Sequence, residues 1–413
     1  MRLNPPKGMA DILPEEMALR ERAQGIILST YADYGYRRVS TPAIEDAENL
    51  ERSEGGDNLN LIYRILKRGD KLDAAAAEGA PLHDLGLRYD LTLPLARFFA
   101  ANRSRLPYPF KCVQIDRAYR AERPQRGRMR EFTQCDIDVL GDPTPRAEFE
   151  LVAVTAEALA RLGFTGLRAR ISDRRLLRAL LAGFGFAEAE LSGACVAFDK
   201  FDKIGASGVA EELSGRGLTP SAVEGFGGFL STGDFSLSAV SKRIGNAPEA
   251  EALTKLIDDL NAVSSGAYTA EFDATLVRGQ GYYTGAVFEL EAPGYAGSVA
   301  GGGRYDGLIG KFTGSDAPAV GFSIGFERIM GILIERGWAA GEGKPRLALV
   351  YPPETPDPEV FAAIQPLRER YLVTAIAGDA GSGKLRKRLE REGYRLIAEP
   401  GGEAAALGGA GES

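Results

Sequence analysis

The spacing of apolar residues predicts a series of helices and strands along the first third of the chain. From Pro14 to about Tyr36, apolar side chains recur at roughly helical spacing, and Glu15 and Glu16 lie where the helix dipole favours acids, so this segment predicts a helix. The extended run that follows is broken by Pro42. Alternating positions predict strands at Leu61–Leu66, Gly86–Tyr89, Phe110–Tyr119 and Thr133–Leu140.

The middle of the chain is dominated by helical patterns. Pro94–Asn102 is predicted to be helical, and Thr144–Leu162 predicts a long amphipathic helix. From about residue 173 to residue 262 the chain is rich in Ala, Leu, Gly and Glu and shows no chemical motif, so we interpret about 175–262 as a helical insertion. Strand character returns at Ala274–Leu290 and Gly297–Gly302, and a helix is predicted at Phe326–Arg336.

The pattern changes after a glycine-rich linker at Gly341–Lys344. Residues 345–400 alternate between strand and helix, which indicates a small α/β unit with a parallel sheet. Residues 1–340 then form one larger unit that contains the insertion. The tail, 401–413, is rich in Gly and Ala and has nothing to bury, so it is predicted to be disordered.

Composition narrows the chemistry. The chain has 413 residues, three widely spaced cysteines and one histidine, His83, which argues against disulfides, a zinc site and catalysis by a Ser-His-Asp or Cys-His group. The net charge of −7 argues against non-specific coating of nucleic acid but leaves room for a specific RNA. No apolar signal region or membrane-length run is present, so we expect a cytoplasmic protein with no membrane partner.

One glycine-rich segment is close to a phosphate-binding loop. Gly378–Leu385 follows a predicted strand and opens a predicted helix, which is the context of a P-loop. The P-loop pattern requires Ser or Thr after the lysine to reach magnesium, and here Leu385 follows Lys384. We therefore interpret this segment as a glycine-rich turn, and a P-loop nucleotide-binding protein remains a minor alternative.

The first segment with a chemical signature is Tyr119–Asp138. It predicts an antiparallel hairpin with a long basic tip, because β-type runs flank a Pro/Gly loop. Five arginines lie between Arg120 and Arg130, among them Arg128, and Glu122 lies beside them. An arginine fork matches phosphate oxygens, and a carboxylate accepts a hydrogen bond from an adenine amino group.

Two later segments carry similar signals. In Leu276–Glu289, Arg278 is followed by glycines that admit a ligand close to the backbone, and Tyr282 and Tyr283 offer apolar walls with hydroxyl tips. In Ala300–Ile329, a strand of small residues leads into a helix with Arg328 in its first turn. A cation there opposes the helix dipole, so a bound anion explains it better than packing.

These three segments, in this order, resemble the hallmarks of class II aminoacyl-tRNA synthetases. Arg120–Glu122 with its loop resembles motif 2, Gly321–Arg328 resembles motif 3, and the first helix with Val39–Pro42 resembles motif 1, the dimerisation element. Signatures of the histidyl-tRNA synthetase family are matched by Leu276–Glu289, Gly301–Gly307, Leu87–Thr92 and Lys7–Pro14. The resemblance covers residues 1–400.

The resemblance implies an α+β fold. We expect a class II synthetase-type antiparallel sheet core with flanking helices at 1–340, the helical insertion, and a short C-terminal α/β unit like the family's anticodon-binding domain. It also implies a homodimer that activates L-histidine with ATP, carrying bound Mg²⁺, and transfers histidine to the 3′ end of tRNA(His). No metal is expected to be held by the protein's own residues.

The resemblance also assigns roles in the reaction. Arg120 is expected to bind the α-phosphate and Glu122 the adenine of ATP, with Arg128 beside them. Arg328 would bind the γ-phosphate. Arg278 would face both the α-phosphate and the attacked carboxylate, which makes Arg278 and Arg120 the expected catalytic residues through electrostatic stabilisation.

Neutral imidazole has one donor and one acceptor, which suits a carboxylate and a hydroxyl. Asp138 is expected to accept from one imidazole nitrogen and Tyr283 to donate to the other. An isostere of histidine that lacks either the imidazole donor or the acceptor would leave its buried protein partner unpaired, so it would be rejected. Histidine binding is further assigned to Asp90, Thr92 and Gln134 at the α-ammonium, to Arg278, and to Tyr282, Gly303 and Tyr305 in the pocket wall.

Some positions depart from the family pattern. Gly281 stands where the family usually has an aspartate, Met129 stands where an aromatic is common, and the C-terminal unit stops short. The main alternative is a catalytically silent relative, the regulatory subunit of ATP phosphoribosyltransferase in histidine biosynthesis. Arg120, Arg278 and Arg328 favour the synthetase, because the silent relatives have eroded ATP-binding arginines.

Overall fold

A computed structural model of the chain describes residues 3–51, 57–123, 128–245, 247–277, 282–314, 316–339 and 344–407. The chain divides into two compact units, residues 1–336 and 337–413. Arg278, Gly281, residues 341–343 of the predicted linker and residues 408–413 of the predicted tail lie outside the described residues. Each unit is described by itself.

Strands build the framework of both units. In the larger unit they are β1 (Arg37–Arg38), β2 (Ile44–Asp46), β3 (Tyr63–Leu66), β4 (His83–Leu87), β5 (Phe110–Tyr119), β6 (Glu131–Leu140), β7 (Leu167–Asp173), β8 (Tyr268–Phe272), β9 (Ala286–Glu291), β10 (Ser298–Arg304) and β11 (Ala319–Ile324). In the smaller unit they are β12 (Arg346–Tyr351), β13 (Leu372–Ala377), β14 (Leu396–Ala398) and β15 (Ala405–Ala406).

Helices flank these strands. In the larger unit they are α1 (Pro14–Asp33), α2 (Ala47–Glu51), α3 (Asp70–Glu78), α4 (Thr92–Asn102), α5 (Arg146–Arg161), α6 (Arg174–Gly183), α7 (Glu188–Phe198), α8 (Phe201–Gly215), α9 (Pro220–Thr232), α10 (Leu237–Ile244), α11 (Pro248–Val263), α12 (Asp306–Thr313) and α13 (Phe326–Glu335). In the smaller unit they are α14 (Asp357–Leu367) and α15 (Gly383–Arg391), and short 3₁₀ turns lie at Asp57–Leu61 and Arg103–Arg105.

The main sheet of the larger unit is mostly antiparallel. Among the described residues, eight strands pair in the order β1-β5-β6-β11-β10-β9-β7-β8, with parallel pairs only at the two edges. A second sheet has the order β2-β4-β3. Together with the flanking helices, this arrangement confirms the predicted α+β class with an antiparallel core.

The hairpin at the centre of the sheet follows the sequence closely. β5 and β6 pair from Phe110 opposite Leu140 to Tyr119 opposite Glu131, so the predicted antiparallel hairpin is confirmed. On β6, Cys135 and Ile137 are fully buried on the core face, whereas the alternate residues face the other side of the sheet. This alternation places one row of polar side chains on a single face.

Two glycines let the central strands approach one another closely. A Cβ at Gly302 on β10 would overlap the Gly321 carbonyl oxygen of β11, and a Cβ at Gly321 would overlap Asp138 Oδ1 of β6. Any side chain at either position would therefore push the strands apart or displace the carboxylate. The glycine-rich sequence of this region is required by the packing itself.

The helical character predicted after residue 173 is confirmed by α6 to α11. Its core includes an aromatic cluster, in which Phe226 packs edge-on against Phe184, Phe186 and Phe198. Within the described residues no single helix is long and apolar enough to span a membrane, and the bent pair α6–α7 meets that test by length and composition only.

Several local predictions were wrong. The strand predicted at Ala274–Leu290 is observed only from Ala286, because Ala274 to Val277 form a turn and buried loop held by Asp273. β7, β8, α3 and α12 were not predicted. α12 contains Gly307 and Gly310, which are poor helix formers, and it is stabilised by packing against α4.

The smaller unit has the order β13-β12-β14-β15, in which only the last pair is antiparallel. The tail predicted to be disordered from residue 401 differs in its first part, because Ala405 and Ala406 pair with β14 and Leu407 is buried. In the glycine-rich turn, the Ser382 hydroxyl caps α15 by accepting from the Leu385 backbone N–H. Leu385 packs into the apolar core of the unit, which agrees with a structural turn.

Candidate active site

A cavity of about 490 Å³ lies in the larger unit, a volume typical of a site for small ligands. Strands β6, β10 and β11 contribute to its lining, together with the starts of α4 and α13. The following candidate site residues line this one cavity: Asp90, Thr92, Arg120, Glu122, Arg128, Gln134, Asp138, Tyr282, Tyr283 and Arg328, with Tyr305. Gly303, which was also predicted in the pocket wall, is not among the lining residues. Arg278, the remaining candidate, lies outside the described residues.

Strand β6 supplies a row of polar side chains. Gln134, Asp136 and Asp138 alternate along it and all line the cavity. Asp136 was not among the residues predicted from the sequence. Its position halfway between two predicted site residues was the available signal, because every second residue of a strand faces the same side.

Asp138 is buried beside Tyr305. The Tyr305 hydroxyl donates to Asp138 Oδ1 over 2.6 Å, and the carboxylate is only 4% exposed. The pKa of Asp138 is raised to about 7, mainly by burial; the Tyr305 hydrogen bond lowers it by less than burial raises it, and the nearby charge of Asp90 adds the smallest effect, an increase. Near neutral pH, Asp138 is therefore poised between an acceptor and a donor.

Asp90 is fixed just before α4. Its Oδ1 accepts from the backbone N–H of Leu93 over 3.2 Å, in the manner of a helix cap. Burial raises its pKa, while hydrogen bonds from the first turn and the charge of Arg120 partly offset that effect. The carboxylate is thus held rigidly at the cavity wall.

Three tyrosines form the aromatic wall. The ring centroids of Tyr282 and Tyr283 lie 4.8 Å apart, and Tyr282 meets Tyr305 edge-on at 6.1 Å. Such contacts restrict ring rotation and give the cavity a defined shape.

The guanidinium groups of the cavity are held by carbonyl and aromatic contacts. Arg120 Nε donates to the Tyr89 carbonyl over 3.0 Å, and the guanidinium carbon lies 4.9 Å from the centre of the Phe132 ring. This hydrogen bond uses one of the five guanidinium N–H groups, so an anion can bind the others. Arg328 donates to the Ser298 carbonyl.

Arg128 and Glu122 lie across the base of the hairpin tip. Arg128 Nη1 is 3.6 Å from Glu122 Oε2, and the Glu122 carbonyl accepts from Arg130 Nε over 2.9 Å. The Glu122 side chain is therefore close to a cation, although Arg128 itself is largely exposed.

Glu327 is a further residue that sequence reasoning missed. Its Oε1 accepts from the Thr133 backbone N–H over 2.9 Å and from Arg20 Nη1 over 3.1 Å, and Arg20 Nη2 bonds to Oε2. One carboxylate thereby joins α1, β6 and α13 directly beside Arg328. Only the fold brings these segments together, so spacing in the sequence gave no signal.

Within the described residues, no group of three or more His, Cys, Asp or Glu side chains is arranged to hold a metal ion. The charges that line the cavity are of both signs, and Arg120 is close enough to Asp90 and Asp136 to lower the pKa of each against the larger effect of burial. Such a cavity suits a ligand pair that itself carries anionic and cationic groups.

Comparison with known proteins identifies related chains. Residues 8–329 match the protein-family model described as histidyl-tRNA synthetase. The chain is 43% identical over 412 residues to a histidine–tRNA ligase of Leifsonia xyli subsp. xyli, which covers 96% of this chain and 91% of that protein.

Two solved structures are similar in fold. A histidyl-tRNA synthetase from Nostoc sp. PCC 7120 superposes with a TM-score of 0.78 at 25% identity, over 96% of this chain and 91% of that one. A structure described as an ATP phosphoribosyltransferase regulatory subunit/histidyl-tRNA synthetase from Bacillus halodurans C gives 0.77 at 23% identity, over 97% and 98%. At that identity the second likeness establishes the fold alone.

Proposed function

Because the chain belongs to the histidyl-tRNA synthetase family, we propose that its cavity activates L-histidine with ATP and that the histidyl group then passes to the 3′ end of tRNA(His). As a member of this family the protein is an aminoacyl-tRNA synthetase. The residue assignment is supported by one observation: the described arginines assigned to the phosphates and the carboxylates assigned to histidine line the same cavity.

In the first step a carboxylate oxygen of histidine attacks the α-phosphorus of ATP. An oxygen–phosphorus bond forms, the bond to the β-phosphate oxygen breaks, and pyrophosphate leaves with its electron pair. The step requires no proton transfer, so stabilisation of the charge that develops at phosphorus is the main demand on the protein.

In our assignment Arg120 binds the α-phosphate and Arg328 the γ-phosphate, with Glu122 at the adenine and Arg128 beside it. The bond to the Tyr89 carbonyl and the Phe132 ring fix the direction of the Arg120 guanidinium before the nucleotide arrives. Pre-orientation of this kind avoids reorganisation during the reaction. Arg278 is assigned from its sequence context to the α-phosphate and the histidine carboxylate.

Histidine is assigned to the carboxylate-lined part of the cavity. Ionised Asp138 accepts from an imidazole N–H, while Tyr305 already donates to its other side and holds it in place. Tyr283 is assigned as donor to the second imidazole nitrogen, and Asp90, Thr92 and Gln134 hold the α-ammonium. A ligand without the imidazole donor leaves a buried carboxylate unpaired.

We further propose a cytoplasmic homodimer that takes up Mg²⁺ with ATP. The first helix and β1 match the dimerisation motif, and β1 lies at an edge of the main sheet. Leu13 and Ile44, which flank this region in sequence, are exposed at 68% and 49%. Sedimentation at micromolar concentration tests the dimer.

Histidine-dependent exchange of pyrophosphate into ATP tests the activity. We expect Arg120→Ala to lower the exchange rate by about 10²–10³-fold, the effect of removing one pre-oriented donor from a developing charge. Arg117→Ala is the matched control, because Arg117 precedes Arg120 by three residues, is 63% exposed and pairs with Glu131. Arg278→Ala should resemble Arg120→Ala.

The catalytically silent alternative gives a different result. A regulatory subunit would show no histidine-dependent exchange and would bind a phosphoribosyltransferase instead. That likeness rests on a structure under 25% identical, whereas the curated relatives that name the chain's family reach 43% identity.

A further inference from the structure

Three buried oxygen atoms on residues that line the cavity have no hydrogen-bond partner among the described residues: Asp90 Oδ2, Gln134 Oε1 and Asp136 Oδ1. Asp90 and Asp136 are 2% and 5% exposed. Buried polar atoms in folded proteins nearly always have a partner, so these three call for donors from a bound molecule.

The three atoms belong to one neighbourhood. Gln134 and Asp136 are two residues apart on β6 and face the same side, and Gln134 Nε2 lies 3.5 Å from Asp136 Oδ2. This contact directs the amide nitrogen towards Asp136 and leaves the amide oxygen as an acceptor. Asp90 is close enough for its charge to act on Asp136.

An ammonium group matches this arrangement because it has three N–H donors and no acceptor. A hydroxyl has one donor, and a carboxylate or phosphate has none when ionised. Two carboxylates beside an amide oxygen also favour a cation over a neutral amine.

We propose that Asp136 is a third acceptor for the α-ammonium of histidine, together with Asp90 and Gln134. This inference rests on the proposed function and adds a residue to its amino-acid site. Asp136 then acts both as a direct ligand and as the group that orients the Gln134 amide.

The electrostatic surroundings support this assignment. Burial and the charge of Asp138 raise the pKa of Asp136, while Ser323 and Arg120 lower it less. An isolated anion is therefore costly at this position, and a ligand cation in contact with it offsets that cost.

Ligand analogues separate recognition of the ammonium from a general effect on the fold. Histidinol keeps the ammonium and imidazole but lacks the carboxylate, whereas 3-(imidazol-4-yl)propionate keeps the imidazole and carboxylate but lacks the ammonium. For Asp136→Asn we expect histidine and histidinol to bind roughly 10- to 100-fold more weakly, as for loss of a charged hydrogen bond. The affinity for imidazolepropionate should be unchanged, and calorimetry measures all three.

Asp116→Asn serves as the matched control. Asp116 lies on the neighbouring strand β5 and pairs with Arg88 over 2.7 Å. Its loss should leave the ratio of histidine to imidazolepropionate affinity as it is in the parent chain. Asp136→Ser, which retains a smaller acceptor, provides a second variant if Asp136→Asn does not fold, and it should change the same ratio in the same direction.

Two results would overturn the inference. Equal weakening of all three ligands would assign Asp136 a structural role only, and unchanged histidine binding would remove it from the site. Either result leaves pyrophosphate exchange by the parent chain intact. Absence of histidine binding and exchange in the parent chain would instead contradict the proposed function.

Discussion

Two neighbouring groups of buried charge in the larger unit differ in how far the protein itself pairs them. Arg304, at the end of β10, bonds to both oxygens of Glu148 at 2.6 and 2.7 Å and also to Asp306 and the carbonyls of Asp142 and Thr144. The next residue, Tyr305, contacts a second group, in which buried carboxylates line the cavity and have strongly raised pKa values.

The difference separates a structural from a functional use of buried charge. A charge whose hydrogen-bonding capacity is filled by the protein holds elements together, and a ligand has nothing to add. A carboxylate left short of donors costs stability until a ligand supplies them. On this view the Arg304 group sets the position of Tyr305, and Tyr305 presents Asp138 to the ligand.

The largest expected effect on stability comes from breaking the satisfied group. Arg304→Ala leaves Glu148 buried without its cation, so we expect the free energy of unfolding of the larger unit to fall by about 3–5 kcal/mol. Chemical denaturation followed by far-ultraviolet circular dichroism measures this free energy. Arg168→Ala, which removes an exposed arginine paired with Glu271 and Glu291, should cost less than about 1 kcal/mol. A similar loss in both variants would contradict the comparison.

Asp138→Asn should instead increase the free energy of unfolding at neutral pH. Folding raises the pKa of Asp138 from 3.8 to about 7, so the folded state keeps a proton that the unfolded chain has lost. The parent chain therefore loses stability as pH rises from about 4 to about 7, by roughly 2–4 kcal/mol in total.

Asparagine carries no charge and escapes that cost. Near pH 8 we expect Asp138→Asn to be the more stable chain, and near pH 4 the difference should vanish, as thermal melts across this range will measure. The same variant should lose histidine-dependent exchange. Equal stability of the two chains at pH 8 would show that ionising Asp138 does not destabilise the folded state.

An intermediate effect is expected at Glu327. Glu327→Gln keeps an acceptor for the Thr133 N–H but loses the ion pair with Arg20, so we expect a loss of about 1–2 kcal/mol and a few-fold rise in KM for ATP, because Arg328 adjoins it. Glu16→Gln is the control, since Glu16 also pairs with Arg20 but is more exposed. A change in KM for histidine rather than ATP would count against this role.

The smallest effect is expected on the surface. Lys255 and Asp259 form an exposed pair at 2.5 Å on α11, and Asp259→Asn should alter stability by less than about 0.5 kcal/mol. This variant serves as the reference for the thermal melts. A larger change would mean that a short distance alone, without burial, makes an ion pair contribute strongly to stability here.

The sequence predicted the parts of the fold that have a regular local pattern. The β5–β6 hairpin was predicted almost to the residue, because apolar and polar positions alternate through both strands. β7 was missed although it also alternates. Its outward arginines, Arg168 and Arg170, take their partners from β8, β9 and the turn after β8, which only the folded sheet brings together.

Site residues were predicted where the family resemblance assigns them a role, and were missed where burial or contacts between distant segments give them one. Asp90, Gln134 and Asp138 lie in recognisable motifs and line the cavity as expected. Asp136 and Glu327 gain their significance from burial and from contacts between distant segments. The roles of all these residues stay predictions until the variants are measured.

The polar row on β6 also acts as a ruler. Successive residues of a strand advance by about 3.3–3.4 Å, so the backbone positions of Asp136 and Asp138 are separated by roughly 7 Å. If Asp136 binds the ammonium and Asp138 the imidazole, the backbone spacing selects amino acids by the distance between these two groups. A homologue of histidine longer by one methylene would then bind poorly, because the strand spacing fixes the distance between the two carboxylates and pairing within the central sheet prevents β6 from stretching.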